Sequence, residues 1–89
     1  MAYLSKNLSV LAYANGFTLW HYATADTAAT VDTSGYFNAA SDMLRAGDII
    51  IGNVDTGGTP GAGLFRVASN SGGVVDVADM TAVGGTDTD

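Results

Sequence analysis

Asp55, His21 and two aspartate pairs, Asp76 with Asp79 and Asp87 with Asp89, are the side chains of this chain whose types could do chemistry. Asp55 heads the triplet Asp55-Thr56-Gly57; two such loops facing each other could make paired carboxylates share a proton. His21 is the sole histidine, and an imidazole can act as a base or a metal ligand. There is no cysteine to join it in binding a metal, and no Gly-x-Ser-x-Gly elbow presents a nucleophile to it. The aspartate pairs offer the hard oxygen ligands that calcium takes, but neither lies in the dense Asp and Asn spacing of a dedicated loop. Gly57-Gly58 through Gly61-Ala62-Gly63 is glycine-rich like a phosphate loop, yet no lysine follows and no helix is expected after it. The expectation is a hairpin tip, a strand histidine and solvated carboxylates, with no catalytic residue, metal or cofactor.

The triplet resembles the Asp-Thr-Gly of aspartic proteases, and the chain is near the size of the retroviral ones. That family places an apolar-apolar-Gly segment well downstream of the triplet. Here Ile50-Ile51-Gly52 precedes it, and only 32 residues follow Gly57. Gly58-Thr59-Pro60-Gly61 continues as a plain turn.

The elements that would position these residues are short. Phe37, Ala40 and Leu44 fall at i, i+3 and i+7, with Tyr36, Ala40 and Met43 in an adjacent row, which predicts a helix of about three turns. Ser34 would cap its start, Arg45 would suit its last turn and Gly47 would end it. Ile49, Ile50 and Ile51 are β-branched and predict a strand over 48–54, apolar on both faces. Upstream, 1–16 reads as an extended arm with partial strand alternation, ending in the turn signal Asn15-Gly16. A strand over 17–24 places Phe17, Leu19, His21 and Ala23 on one face and Thr18, Trp20, Tyr22 and Thr24 on the other. Asp26 would cap a short helical turn over 27–31. Downstream, strands over 64–69 and 74–78 flank Asn70-Ser71-Gly72-Gly73, making with 48–54 three sequential antiparallel strands.

The fold class is therefore mainly β with one short helix: a small antiparallel, curved sheet or partly open barrel capped by the helix. Tyr36, Phe37, Leu44, Ile49, Ile51, Phe65, Val67, Val75 and Val77 are its expected core. The organisation is an arm over 1–16, one β-rich domain over 17–83 and a polar tail over 84–89.

Composition narrows the function. The net charge is −6, with only Lys6, Arg45 and Arg66 positive and all nine acidic residues aspartate. That disfavours nucleic acid and anionic membranes, which need cations on the protein. No apolar run approaches the roughly 20 residues of a membrane span, and the start is too short in apolar length for a cleavable leader. Charged residues are 13% of the chain against 47% hydrophobic, about half the usual charge for a globular protein. A domain this small has a marginal core without cysteines to staple it, so support from neighbouring subunits is expected. Tyr3, Leu4 and Leu8 in the arm, Trp20 and Tyr22 on one strand face, and Thr59 and Pro60 in the loop are the expected interaction residues. For Trp20 and Tyr22, core packing is an equal alternative.

At Trp20-His21-Tyr22, Thr24-Ala25-Asp26, Gly35-Tyr36-Phe37-Asn38-Ala39-Ala40, Asp42-Met43-Leu44, Gly47-Asp48-Ile49-Ile50 and Val74-Val75-Asp76-Val77-Ala78, the chain resembles small head decoration, cement or head-fibre proteins of tailed bacteriophages and gene transfer agents. The resemblance covers most of 17–83. It implies a non-enzymatic virion protein, made in the host cytoplasm, on the outer surface of the phage head. Its partner would be the major capsid protein, whose subunit contacts it stabilises as a homo-oligomer such as a trimer. A head-fibre, tail-tip or fibre-base module is the structural alternative, and a small hydrolase or ligand-binding domain using Asp55 or His21 the alternative of another class.

Overall fold

Asn15 and Gly16, both at positive φ (54° and 84°), fold the first hairpin. A two-residue turn of this kind matches the twist of its strands and favours Asn-Gly, because both positions need left-handed backbone. It joins β1 (Leu8–Ala14) to β2 (Phe17–Ala23). The computed structural model describes residues 3–84, so the tail from 85 onward and the first two residues of the arm lie outside the described residues. After β2 come α1 (Ala28–Val31), β3 (Ile49–Val54), β4 (Gly61–Ser71), β5 (Val74–Val77) and β6 (Thr81–Ala82). Short 3-10 turns occupy Ser5–Asn7 and Asn38–Ala40.

The sheet runs β1-β2-β3-β4-β5, with β6 also on β4. It is mainly β with one short helix, as the composition and spacing imply. It does not close into a barrel, and it is mixed rather than wholly antiparallel, because β2 and β3 run parallel. The reason is the long connection 24–48, which carries the chain back over one face before β3 begins; a parallel pair needs such a crossover. From β3 onward the three expected antiparallel strands are present. The Gly72-Gly73 turn, at φ 61° and 83°, closes β4 onto β5. β5 and β6 together line one side of β4, interrupted at 78–80, where the Ala78 N–H donates to the Arg66 carbonyl at 2.8 Å.

The crossover covers the inner face. Trp20, Tyr22, Ile50, Val54, Phe65, Val67, Val75 and Val77 from the sheet meet Val31, Phe37, Ala40 and Leu44 from 24–48. The expected three-turn helix over 36–46 is instead a run of turns: Asn38, Ala40, Ser41 and Met43 N–H groups each bond three residues back. The sheet competes for this segment's polar groups. Asn70 Nδ2 donates to the Ser41 carbonyl at 2.7 Å and to the Leu44 carbonyl at 2.5 Å, and Asn38 Oδ1 accepts the Val75 N–H at 2.9 Å. Phe37, Ala40 and Leu44 still reach the core, since a tight turn also stacks i and i+3. Gly47 has the expected left-handed backbone, at φ 96°. Ser34 is exposed and caps nothing. Thr27, not Asp26, caps α1 by accepting the Thr30 N–H; Asp26 is buried.

Three expected core positions move. Ile49 and Ile51 are half-buried on the opposite face, while Ile50 between them is the buried one. Tyr36 is half-buried at the rim of the core.

Candidate docking surface

The face of the sheet away from the crossover carries nothing above it among the described residues, and its register can be read row by row. Leu19 aligns with Ile49 and Arg66; His21 aligns with Ile51, Leu64 and Thr81; Ala23 aligns with Asn53 and Ala62. Ala12 and Ala14 of β1 align with Leu19 and Phe17. Leu19, Ile49, Ile51, Leu64 and Phe17 thus form an apolar area on the outer face, with Leu19, Ile49 and Ile51 half-buried and Leu64 and Phe17 exposed. No position in these rows is an aspartate. The charge here is Arg66, whereas the chain as a whole carries −6.

His21 belongs to this face. Its Nε2 lies 2.7 Å from Asn53 Nδ2. With the Asn53 amide as donor, Nε2 accepts and the ring proton sits on Nδ1. No pocket recesses the pair, and no group of three His, Cys, Asp or Glu side chains among the described residues could hold a metal ion.

The other chemistry-bearing residues have local partners. Asp55, at φ 53°, opens the β3–β4 loop; its carboxylate accepts the Thr59 N–H at 3.3 Å and its carbonyl accepts the Gly58 N–H at 3.0 Å. Asp76 and Asp79 face Asp32 at the end of α1. Desolvation raises the Asp32 carboxyl above the usual range, and Asp79 and Asp76 raise it further. Asp87 and Asp89 lie outside the described residues.

The expected interaction residues divide. Trp20 and Tyr22, at 6% and 1% exposure, are core residues and offer no free patch. Tyr3 stacks on Tyr22, with ring centroids 5.6 Å apart, and meets Phe37 edge-on. Leu8 packs half-buried against the same core, and Leu4 is 48% exposed. Thr59 and Pro60 are exposed in the loop after β3. Because β2 and β3 are parallel and Leu8 aligns with Tyr22, this loop and the arm lie at the same end of the sheet.

A hydrogen-bonded chain runs through that end. Leu4 N–H donates to Tyr22 Oη at 3.1 Å, Tyr22 and Tyr36 hydroxyls lie 2.9 Å apart, and Tyr36 donates to Asp26 Oδ2 at 2.6 Å. Burial raises the Tyr36 phenol above its ordinary value, and its bonds to Asp26 and Tyr22 raise it further; burial and then Tyr22 raise Tyr3. A phenol raised in the fold binds its proton more tightly folded than unfolded. Its contribution is intact below the ordinary phenol value of 10.0 and lost as pH climbs through the folded value. The urea midpoint should therefore fall above pH 10.0, and Tyr36→Phe should flatten that fall; an equally steep fall in the variant would exclude Tyr36 as its source.

The outer face was hidden in the sequence by the isoleucine run, which reads as core on both sides. Phe17, Leu19 and His21 sharing one face was the available signal. No protein-family model matches this chain, and no curated protein or solved structure does either.

Proposed function

We propose that the chain is a docking module, a capsid decoration or cement protein of the kind its sequence patterns resemble. It binds the outer surface of a phage head through the outer face of its sheet and stabilises contacts between major capsid protein subunits. The observation that carries the reading is the uncovered row Leu19, Ile49, Ile51 and Leu64, an apolar row free of aspartate on an acidic chain. Apolar area of this kind on a small domain marks an interaction site. Docking by that face turns the acidic remainder toward solvent, which keeps decorated heads apart. The arm and the 55–60 loop, at one end of the sheet, are placed to touch a neighbouring subunit.

Purified chain added to heads lacking it tests the reading, with bound copies counted by electron microscopy. Ile51→Lys places an amine in the middle of the face and should weaken binding by about 100-fold, with the circular dichroism spectrum unchanged. Full occupancy by the variant would remove the face from the mechanism. Failure of the unmodified chain to bind heads would remove the capsid, and a few copies confined to the tail would assign it to a tail tip or fibre base.

A further inference from the structure

The two edges of the sheet are finished differently. At the β5 edge the Gly35 N–H donates to the Val75 carbonyl at 2.9 Å, and Asn38 Oδ1 accepts the Val75 N–H at 2.9 Å. A turn of the crossover thus occupies that edge, and Asp76 and Asp79 add charge beside it. Covering and charging are the usual ways of closing a sheet edge to other strands. β1 carries neither device. Its sequence, Leu-Ser-Val-Leu-Ala-Tyr-Ala, holds no charge and no proline. Among the described residues the only backbone hydrogen bond that joins it to anything beyond β2 is the one at its first residue, where the Leu8 N–H donates to the Ser5 carbonyl.

Its side chains are also bare. Val10, Leu11 and Tyr13 are 56%, 54% and 66% exposed. A bulge between Val10 and Ala12 leaves Leu11 outside the β2 register. Bulges can blunt an edge, but the residue set aside here is an exposed leucine, which adds apolar surface instead of charge.

We propose that β1 is a strand-pairing surface whose occupant is β1 of a second copy of this chain. The two strands run antiparallel across a two-fold axis and join two sheets into one. Charge selects this arrangement. Each copy carries −6, so most pairs of identical surfaces repel, whereas 7–20 holds no charged residue and two copies can align there without like charges opposed. Closure supports it as well: with Val75 of β5 already bonded to the crossover and β6 only two residues long, the far side offers a copy's β1 no strand-length edge, so the assembly stops at two instead of growing as a fibre. A seven-residue strand is about 23 Å long. Two of them, with Val10, Leu11 and Tyr13 from each copy, bury on the order of 1,000 Å², the low end for a specific pair. A dimer in the micromolar range follows. The trimer implied by the sequence resemblance would need a different surface. This pairing leaves the outer face free, so it stands whether or not that face binds a capsid.

Sedimentation of the full chain from about 1 to 500 µM, the span a micromolar pair requires, should show monomer passing to dimer. Leu11→Lys should weaken the dimer about 100-fold by placing like charges near the axis, while Ile51→Lys leaves it unchanged. Amide exchange on the unmodified chain should show protection of residues 8–14 rising with concentration, a readout that needs no variant to fold. A chain that stays monomeric throughout overturns the proposal. So does a trimer, a dimer broken by Ile51→Lys but not by Leu11→Lys, or protection gained elsewhere than 8–14. Loss of head binding in Ile51→Lys with the dimer intact would separate the two surfaces.

Discussion

Asp48→Ala should destabilise the fold by about 3 kcal/mol, from the loss of hydrogen bonds to a buried charged acceptor. Asp48 is 1% exposed. Its Oδ1 accepts the Thr18 N–H at 3.2 Å, and its Oδ2 accepts Trp20 Nε1–H and the Arg45 N–H, both at 3.1 Å. The three donors come from the start of β2 and from the end of the crossover, so one carboxylate fastens the long connection to the strand it must run beside. Removing it leaves the buried indole N–H without its partner, and an orphaned buried donor costs more than the bond alone contributed. For a small domain, whose total stability lies at the low end of about 5–15 kcal/mol, that is a large fraction. Asp48→Asn should cost about 2 kcal/mol, because the amide keeps one acceptor but turns an NH2 toward existing donors. Urea titration followed by circular dichroism measures both. A change below about 1 kcal/mol in Asp48→Ala would mean that water replaces the carboxylate at this site.

Gly52→Ala should cost about 2–3 kcal/mol by overpacking the core. Gly52 is buried in the middle of β3, and a Cβ there would lie 2.6 Å from Phe65 Cε2 and 3.1 Å from Cδ2. Phe65 is fully buried, so its ring cannot swing clear into solvent. The missing side chain is what lets the ring lie against the β3 backbone, and a methyl group must push apart β3 and β4 or force the ring off its rotamer. The expected drop in melting temperature is about 10–20 °C for a domain of this size. Calorimetry reads it directly; a change within a few degrees would show that the ring relocates without strain.

The sequence made the downstream half of this fold legible and obscured the join. Residues 48–78 carry their own punctuation: a glycine stop at Gly47, alternation in Leu64 to Ala68 and a Gly72-Gly73 turn, all local signals that tertiary contacts did not override. The three-turn helix failed because its stripe, Phe37, Ala40 and Leu44, specifies burial and not helical hydrogen bonding. Asn38 beside it and Asn70 across from it take the polar groups elsewhere. The burial of Asp48 had no signal in the sequence, since a carboxylate after a glycine stop gives no sign that an indole 28 residues earlier will find it. The isoleucine run fixed a strand but not its facing, because three identical residues carry no period of two; only the register with Trp20 and Phe65 selects Ile50 as the inward one. On the candidate surface, Phe17 and Leu19 were legible as one face of β2, whereas the bareness of β1 depends on how far the hairpin extends past the crossover.

The parallel seam between β2 and β3 orders assembly in time. Each hairpin beside it closes through a short connection, but the seam must gather the ends of the segment 24–48 before any of its contacts form. The extra closure entropy over a two-residue turn is about 2 kcal/mol, and non-local pairing of this kind slows folding. Until the seam closes, the chain consists of two separate ribbons: the bare hairpin β1–β2 and the meander β3–β5. A nascent molecule therefore exposes its most apolar edge before it owns a core, and the moment of closure sets how long that edge stays open to other chains.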